Sequence, residues 1–194
     1  MYEKYGQFID GKWHKSSTGE TYEVINPANE EIIGKASKAS SKDVDKALLS
    51  AQKGLEVWKK TPPWQRAYIL RRIADKMREK QDILAKWMTL EVGKPFAEAK
   101  GEVNGAADIY EWNAEETKRI YGQTVESRFE DTRVHVYYQP VGVVAALVPW
   151  NFPLVLSARK ISTALAAGCS VIVKPDVITP GVVMEQVEIC RECG

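Results

Sequence analysis

The stretch that decides the fold is residues 141–175, which read VGVVAALVPWNFPLVLSARKISTALAAGCSVIVKP. Val141–Val148 is an apolar run of strand length without alternation, which is typical of a strand covered on both faces. Leu154–Ala167 is rich in alanine and leucine and precedes Gly168, a residue type that commonly ends a helix. Ser170–Val173 is a second apolar run, which the following Lys-Pro pair stops. The stretch therefore predicts a βαβ unit with parallel strands.

The segment that joins the first strand to the helix is Pro149–Pro153, with the sequence PWNFP. Open α/β sheets bind ligands where a strand ends and a helix begins, because unpaired N–H groups and the positive end of the helix dipole meet there. Asn151 carries both a hydrogen-bond donor and an acceptor. The plain alternative is that Asn151 caps the helix and Trp150 only packs. Five such residues together, at the exit of a parallel strand, favour a ligand site.

This loop and the motifs after it resemble the NAD(P)-dependent aldehyde dehydrogenase superfamily. The motifs are Pro149–Pro153, Ala158-Arg159-Lys160, Ala166-Ala167-Gly168-Cys169 and Val173-Lys174-Pro175. Residues 111–122 are similar to the succinate-semialdehyde branch, which together with the lactaldehyde branch is the nearest in resemblance. The resemblance covers nearly the whole chain. It implies an α/β fold in which this chain is the N-terminal portion, an incomplete Rossmann-like parallel sheet preceded by a helical region.

The same resemblance implies three parts. Residues 1–123 supply strand hairpins and the helical part of the cofactor domain, residues 124–140 a strand segment of the oligomerisation sheet, and residues 141–194 a truncated βαβ core that binds the cofactor. The catalytic domain of the family, with its nucleophilic cysteine and its general-base glutamate, is absent. We therefore expect a truncated chain that is inactive by itself.

Local signals predict the elements before this core. Asp10-Gly11 marks a hairpin turn within Gln7–Trp13. Thr132–Gln139 alternates between two sets of side chains, which predicts a strand with two different faces. The other apolar patterns and prolines predict strands Thr21–Ile25 and Glu31–Ala36, and helices of about Ser40–Lys60, Trp64–Lys80, Ile83–Leu90 and Ala97–Thr117.

Composition narrows the classes of partner. The 194 residues are 44% hydrophobic and 27% charged with a net charge of +1, which argues against nucleic acid and membrane partners. Three cysteines and an N-terminus without an apolar core predict a reducing, cytoplasmic location. Cys190 and Cys193 form a C-x-x-C pair that offers at most two ligands, so no metal site is predicted.

Oxidising an aldehyde to an acid requires a nucleophile, an oxyanion stabiliser, a hydride acceptor and a base for the attacking water. Asn151 suits the second role, because its amide can donate to a developing oxyanion. The resemblance implies that the matching asparagine acts together with a backbone N–H of the catalytic cysteine. Cys169 matches a non-catalytic position of the family.

The resemblance also implies the cofactor residues. The lysine that matches Lys174 binds the adenosine ribose, although an exposed lysine at a strand end would be the plain reading. The family usually has a ribose-binding glutamate soon after this lysine, but it is absent here, where the run is Pro175-Asp176-Val177. The carboxylate of Asp176 would repel a 2′-phosphate, so that NAD is favoured over NADP. The nicotinamide ribose and pyrophosphate side is lined by Leu147, Val148, Pro149 and Trp150.

Helical spacing indicates a substrate channel. Four residues fall at i, i+3, i+4 and i+7 on one helix face. They are Phe152, Val155, Leu156 and Arg159. Three apolar side chains and one guanidinium describe a short channel with a carboxylate anchor, but Arg159 could equally pair with a carboxylate of the protein. In the succinate-semialdehyde branch the matching arginine binds the carboxylate of the substrate.

The resemblance thus implies NAD(P)-dependent oxidation of succinate semialdehyde or a similar short aldehyde, by a homo-oligomer when the fold is complete. The alternative is a non-catalytic nucleotide-binding or interaction module built on the same fold.

Overall fold

The computed structural model describes residues 2–194, so that Met1, the first residue of the predicted N-terminal part, lies outside the described residues. A single 3-10 turn, Tyr2–Lys4, precedes the first strand. The strands are β1 (Gln7–Ile9), β2 (Lys12–His14), β3 (Thr21–Ile25), β4 (Ile32–Ser37), β5 (Gln123–Glu126), β6 (Arg133–Val136), β7 (Val143–Leu147) and β8 (Ser170–Lys174). The helices are α1 (Ser41–Trp58), α2 (Pro63–Glu79), α3 (Gln81–Val92), α4 (Phe96–Thr117), α5 (Pro153–Ala166) and α6 (Pro180–Cys193).

The N-terminal strands form two antiparallel hairpins, β1–β2 and β3–β4, as the turn signals predict. Helix α1 then begins with a capping box, in which the Ser40 hydroxyl accepts from the Asp43 N–H and the Asp43 carboxylate accepts from the Ser40 N–H. These hydrogen bonds satisfy the first backbone donors of the helix. The Asp43 carboxylate also accepts from the N–H and the hydroxyl of Ser17, so the start of α1 is tied to the segment after β2.

Helices α2, α3 and α4 pack against one another to form the centre of the core. Leu70, Ile73 and Met77 of α2 keep the predicted helical spacing and are fully buried, together with Leu84 and Met88 of α3. Helix α4 also packs along α5, so that it joins this helical core to the βαβ unit. The long helices therefore form the support on which the loop before α5 rests.

The predicted βαβ unit is confirmed. Strands β7 and β8 pair in parallel, with Val143 opposite Ser170 and Leu147 opposite Lys174. Gly168 ends the intervening helix with a φ of 86°, a conformation that favours glycine.

The prediction that the first strand is covered on both faces is wrong. Val141 is 90% exposed and Leu147 is 64% exposed, whereas Ala146 is buried. Helices α1 and α5 contact this sheet, which has only two strands within residues 2–194, and a sheet so narrow leaves part of its surface open.

The predicted strand Thr132–Gln139 is shorter than expected and has a partner that the sequence did not reveal. The part that forms a strand, β6, pairs with β5 in an antiparallel hairpin. Every residue of both strands is exposed, so the two faces differ in their side chains but neither face is buried. Alternation indicated an extended chain but not burial.

Within residues 2–194, no helix combines the length and the apolar character needed to cross a membrane.

Candidate active site

The loop that carries Asn151 leads from β7 into α5. Phe152 holds the N-cap position of α5, and Pro153 is its first helical residue. Asn151 and Trp150 are both exposed. Within residues 2–194 the side chain of Asn151 makes no hydrogen bond, so the alternative that Asn151 caps the helix is wrong. Its amide is left available to a ligand.

The expectation of unpaired N–H groups at the start of α5 is also wrong. Glu102 of α4 is buried, and its Oε1 accepts from the N–H of Leu154 at 3.0 Å and of Val155 at 3.2 Å. Pro153 has no N–H to offer, and the Leu156 N–H is bonded to the Phe152 carbonyl. A protein carboxylate therefore already occupies the place where an anion would bind.

Lys94 pairs with Glu102 and also contacts the loop. Its Nζ lies 3.4 Å from the Asn151 carbonyl oxygen and 3.9 Å from the centroid of the Phe152 ring. The Lys94 side chain is 10% exposed and that of Glu102 is 2% exposed, so the ion pair is largely withdrawn from water. Sequence reasoning missed both residues.

A groove of about 490 Å³ lies beside this ion pair, between α4 and α5. From α4 and the turn before it, the lining residues are Lys94, Glu98, Gly101, Glu102 and Gly105. From the loop and α5, they are Asn151 and all four predicted substrate residues, Phe152, Val155, Leu156 and Arg159. A Cβ added at Gly101 would meet no atom within 4 Å, so the groove is open at this position.

Arg159 lies in this groove, six residues beyond the start of α5. It is exposed, and within residues 2–194 its guanidinium makes no ion pair or hydrogen bond. The alternative of a structural pair with a carboxylate of the described chain is therefore not observed. The groove combines apolar walls, a free amide, the unpaired guanidinium of Arg159 and the carboxylate of Glu98.

The predicted cofactor residues meet at one edge of the sheet. Lys174 ends β8, its carbonyl accepts from the Val148 N–H at 3.0 Å, and its side chain is exposed and without an ion pair in the described chain. Asp176 Oδ1 accepts from the Ile178 N–H at 3.1 Å and so shapes the turn that follows. Val148 is buried and can offer only its backbone, whereas Leu147, Pro149 and Trp150 are exposed. Sequence reasoning also missed Lys160, which donates to the Leu147 carbonyl.

The second parallel strand also leads to a helix whose start is occupied. Glu91 of α3 accepts from the N–H of Gly181 at 2.6 Å and of Val182 at 3.1 Å, and from the Tyr2 hydroxyl at 2.6 Å. Burial raises the pKa of Glu91 to about 7, against the lowering effect of these hydrogen bonds. In the described chain, the edge of the sheet thus carries the unpaired side chain of Lys174, but the starts of α5 and α6 have no free N–H groups to offer the pyrophosphate of a nucleotide.

All three cysteines are free, and none lines the groove in the described part of the chain. Cys169 and Cys193 are buried, and burial raises the pKa of the Cys190 thiol to about 12. A thiol with so high a pKa is a poor nucleophile. Residues 2–194 therefore place an amide donor and a cation in the groove, but no thiolate.

Residues 13–194 match the Aldehyde dehydrogenase family. The chain is 44% identical over 187 residues to the glutarate-semialdehyde dehydrogenase of Pseudomonas aeruginosa. The matched region covers 96% of this chain and 39% of that protein. It is 44% identical over 186 residues to an NADP(+) succinate-semialdehyde dehydrogenase of Escherichia coli, with the same two coverages of 96% and 39%. The chain thus spans about 39% of the length of these curated relatives.

Solved structures show the same likeness. An NADP dependent enzyme of Escherichia coli superposes with a TM-score of 0.96 at 42% identity, over 98% of this chain and 40% of that one. A betaine aldehyde dehydrogenase variant of Staphylococcus aureus in complex with NAD+ gives a TM-score of 0.96 at 34% identity, over 98% and 39% of the two chains. The matches in sequence and in structure both extend over nearly the whole described chain, and this chain belongs to the aldehyde dehydrogenase family.

Proposed function

We propose that this chain supplies the substrate groove and the cofactor edge of an NAD(P)-dependent dehydrogenase that oxidises a short aldehyde bearing a distal carboxylate, such as succinate semialdehyde. The observation that carries the proposal is the unpaired guanidinium of Arg159 in the groove that also holds Asn151. An unpaired guanidinium beside apolar walls suits a ligand that has a carbon chain and an anionic end.

The spacing along the helix supports a substrate of this size. Arg159 lies six residues beyond Pro153, the first residue of α5, which is a rise of about 9 Å, and Asn151 lies just before the start of the helix. The guanidinium can reach back into the groove, so a chain of about four carbons fits between the reacting carbonyl and the charge. Asn151 would donate to the developing oxyanion, and removing one such donor typically lowers turnover by about 10²–10³-fold.

The names of the relatives agree with this substrate class. Those of Pseudomonas aeruginosa and Escherichia coli are named for glutarate semialdehyde and succinate semialdehyde, two aldehydes that each carry a distal carboxylate. A further relative at 38% identity is named for 3-sulfolactaldehyde, whose anionic end is a sulfonate. Arg159 provides a cation that suits such anionic ends.

The proposed cofactor is NAD, held by Lys174 and by the backbone of the segment 147–150. When bound, the nicotinamide supplies the acceptor for the hydride that leaves the aldehyde carbon. The carboxylate of Asp176, at the same edge as Lys174, disfavours the additional phosphate of NADP by like-charge repulsion. Asp176→Ser should therefore strengthen NADP binding by about tenfold, or about 1.4 kcal/mol, and leave NAD binding nearly unchanged. An equal change for both nucleotides would contradict the role of Asp176.

The decisive experiment joins residues 1–194 to the remaining length of the Escherichia coli succinate-semialdehyde dehydrogenase, which is 44% identical. Arg159→Leu in this fusion should lower kcat/KM for succinate semialdehyde by about ten- to a hundredfold, because a charge-assisted hydrogen bond is worth about 1.5–3 kcal/mol. Butanal has the same chain length without the carboxylate and serves as the control, for which kcat/KM should hardly change. Equal losses for both aldehydes would remove the substrate assignment.

A second candidate function is a nucleotide-binding module without catalysis. It is favoured by the three cysteines, none of which lines the groove in the described chain. Both candidates predict that residues 1–194 alone form no NADH from succinate semialdehyde. They differ in the fusion, which only the dehydrogenase proposal expects to be active. Production of NADH by the chain alone that disappears in Asn151→Ala would overturn the expectation of inactivity.

The exposed β5–β6 hairpin supports the homo-oligomer that the family resemblance implies. An antiparallel pair with unpaired edges can accept a strand from another copy. Sedimentation of the chain should show self-association that Val125→Lys and Val134→Lys weaken. A monomer at all concentrations would contradict this part of the proposal.

A further inference from the structure

The residues on both sides of Asn151 are held by one ion pair. Lys94 reaches the loop on the near side, where its Nζ contacts the Asn151 carbonyl oxygen and the Phe152 ring. Glu102 holds the far side through the N–H groups of Leu154 and Val155. The two charges meet between these contacts. We propose that Glu102 and Lys94 are positioning residues that fix the Asn151 amide at the groove, an inference that rests on the proposed role of Asn151.

The loop needs such a support because Asn151 has none of its own. Its side chain makes no hydrogen bond within residues 2–194, and the side chain is exposed. An oxyanion donor works only if it is held within about 0.5 Å of its productive position. Pro149 and Pro153 restrict two φ angles, but the dihedrals between them remain to be fixed. The contacts of Lys94 with Asn151 and Phe152 supply that restraint.

Helix capping alone does not explain the choice of residues. A serine or aspartate at the N-cap would satisfy the same N–H groups without a second charged partner. A largely buried ion pair is a poor way to gain stability, because removing two charges from water offsets most of their attraction. The pair does, however, join α4, the loop and α5 in one network. That connection is what a positioned amide requires and a simple cap does not provide.

The first test uses the 194-residue chain by itself. Nuclear magnetic resonance would record the Asn151 side-chain amide signals and the hydrogen exchange of the Leu154 and Val155 amides. In Lys94→Met the Asn151 signals should shift and broaden, and in Glu102→Gln exchange at the two amides should be faster by about tenfold. Lys94→Arg should restore the Asn151 signals. Glu116→Gln is the matched control, since Glu116 lies on the same helix and pairs at the surface with Arg119.

Each single variant leaves one buried charge unpaired and could fail to fold. The double variant Glu102→Gln/Lys94→Met leaves none, and it should fold and still show shifted and broadened Asn151 signals. If those signals move no more in the double variant than in Glu116→Gln, the positioning role is wrong.

The second test separates this inference from the proposed function. In the fusion enzyme, the double variant should lower kcat for succinate semialdehyde and for butanal by about tenfold or more, with the KM for each aldehyde nearly unchanged, because both substrates need the same oxyanion donor. A parallel rise in KM with unchanged kcat would mean that the pair only shapes the groove and would overturn the proposal. A fusion without any turnover would refute the dehydrogenase function, while the resonance test would still decide whether the pair holds the loop.

Discussion

The first backbone N–H groups of α5 and α6 are both bonded to a buried glutamate, but the two glutamates have different partners. Both helices follow a strand of the same parallel pair, and both begin at a proline. In each case a buried glutamate from an earlier helix accepts two backbone N–H groups. At α5 this is Glu102, which is paired with Lys94 beside an open groove. At α6 it is Glu91, which meets the Tyr2 hydroxyl and has no cationic partner in the described chain.

A glutamate from another helix caps both α5 and α6, but the surroundings of the two glutamates differ. Lys94 keeps Glu102 in a charged network that reaches the exposed loop with Asn151. Glu91 lies in the core beside Gly181, and burial raises its pKa to about 7. One helix start is thus built for a ligand-facing loop and the other for packing. Both starts exclude an external anion, which leaves Lys174 as the cationic group of the proposed cofactor edge.

The comparison predicts that the two glutamates tolerate neutralisation differently. Glu102→Gln leaves the ammonium of Lys94 nearly buried and unpaired, which should lower the free energy of unfolding by about 3–5 kcal/mol. Glu91→Gln leaves no unpaired charge behind, so it should lower the free energy of unfolding by only about 1–3 kcal/mol. Urea unfolding of both variants at pH 7.5 measures the difference. Equal losses would show that Lys94 does not distinguish the two sites.

These caps also mark the limit of what the sequence predicted. The strand, helix and strand of residues 141–175 were predictable, because apolar runs, helix formers and a terminal glycine act over a few residues. The four groove residues followed from the period of one helix. Glu102 and Glu91 did not, since they contact α5 and α6 from 52 and 90 residues away and no local motif marks them. The free helix start that was expected for α5 was wrong for the same reason.

The predictions for Thr132–Gln139 and for β7 were incomplete for a related reason. Alternation in Thr132–Gln139 indicated an extended chain, but the pairing with β5 and the exposure of both strands depend on what packs nearby. The uniform apolar character of β7 likewise predicted burial on both faces, whereas Leu147 is exposed. Periodicity reports which side chains share a face. It does not report whether another element covers that face.

The second prediction concerns pH. The pKa of Glu91 is raised from 4.5 to about 7 on folding, so between these values the folded state binds more protons than the unfolded state. Stability should therefore fall as pH rises from about 4.5 to about 7, by about 3 kcal/mol at 1.36 kcal/mol per pKa unit. This sign is the reverse of that for Glu188, whose pKa is lowered to about 2 by hydrogen bonding to Arg191. Glu91→Gln should abolish the fall. Its persistence in that variant would assign it to another group.

The third prediction concerns the space at the start of α6. A Cβ at Gly181 would overlap the Trp87 ring and lie 2.7 Å from Glu91 Oε1. Gly181→Ala should therefore lower the free energy of unfolding by about 1–3 kcal/mol. Gly54→Ala is the matched control, because a Cβ there would meet no atom within 4 Å and should stabilise α1 by about 0.5–1 kcal/mol. Thermal unfolding of both variants checks the pair, and a neutral Gly181→Ala would mean that this helix start is loosely packed.

The smallest expected effect tests whether the Tyr2 hydroxyl takes the place that Lys94 holds at the other helix. Tyr2→Phe keeps the edge-to-face contact with Trp87, whose ring centroid lies 4.9 Å away, but removes the hydrogen bond to Glu91. The free energy of unfolding should fall by about 1 kcal/mol. That hydrogen bond lowers the pKa of Glu91, so its removal should raise this pKa further and move the fall in stability to higher pH. The loss should consequently be larger at pH 8, where Glu91 is ionised, than at pH 4.

Tyr22→Phe is the control, because the Tyr22 hydroxyl makes no hydrogen bond to Glu91 in the described chain and its own pKa is raised by burial to about 12. A loss for Tyr2→Phe that is the same at pH 4 and pH 8 would mean that Tyr2 contributes only packing, and that burial alone sets the protonation of Glu91.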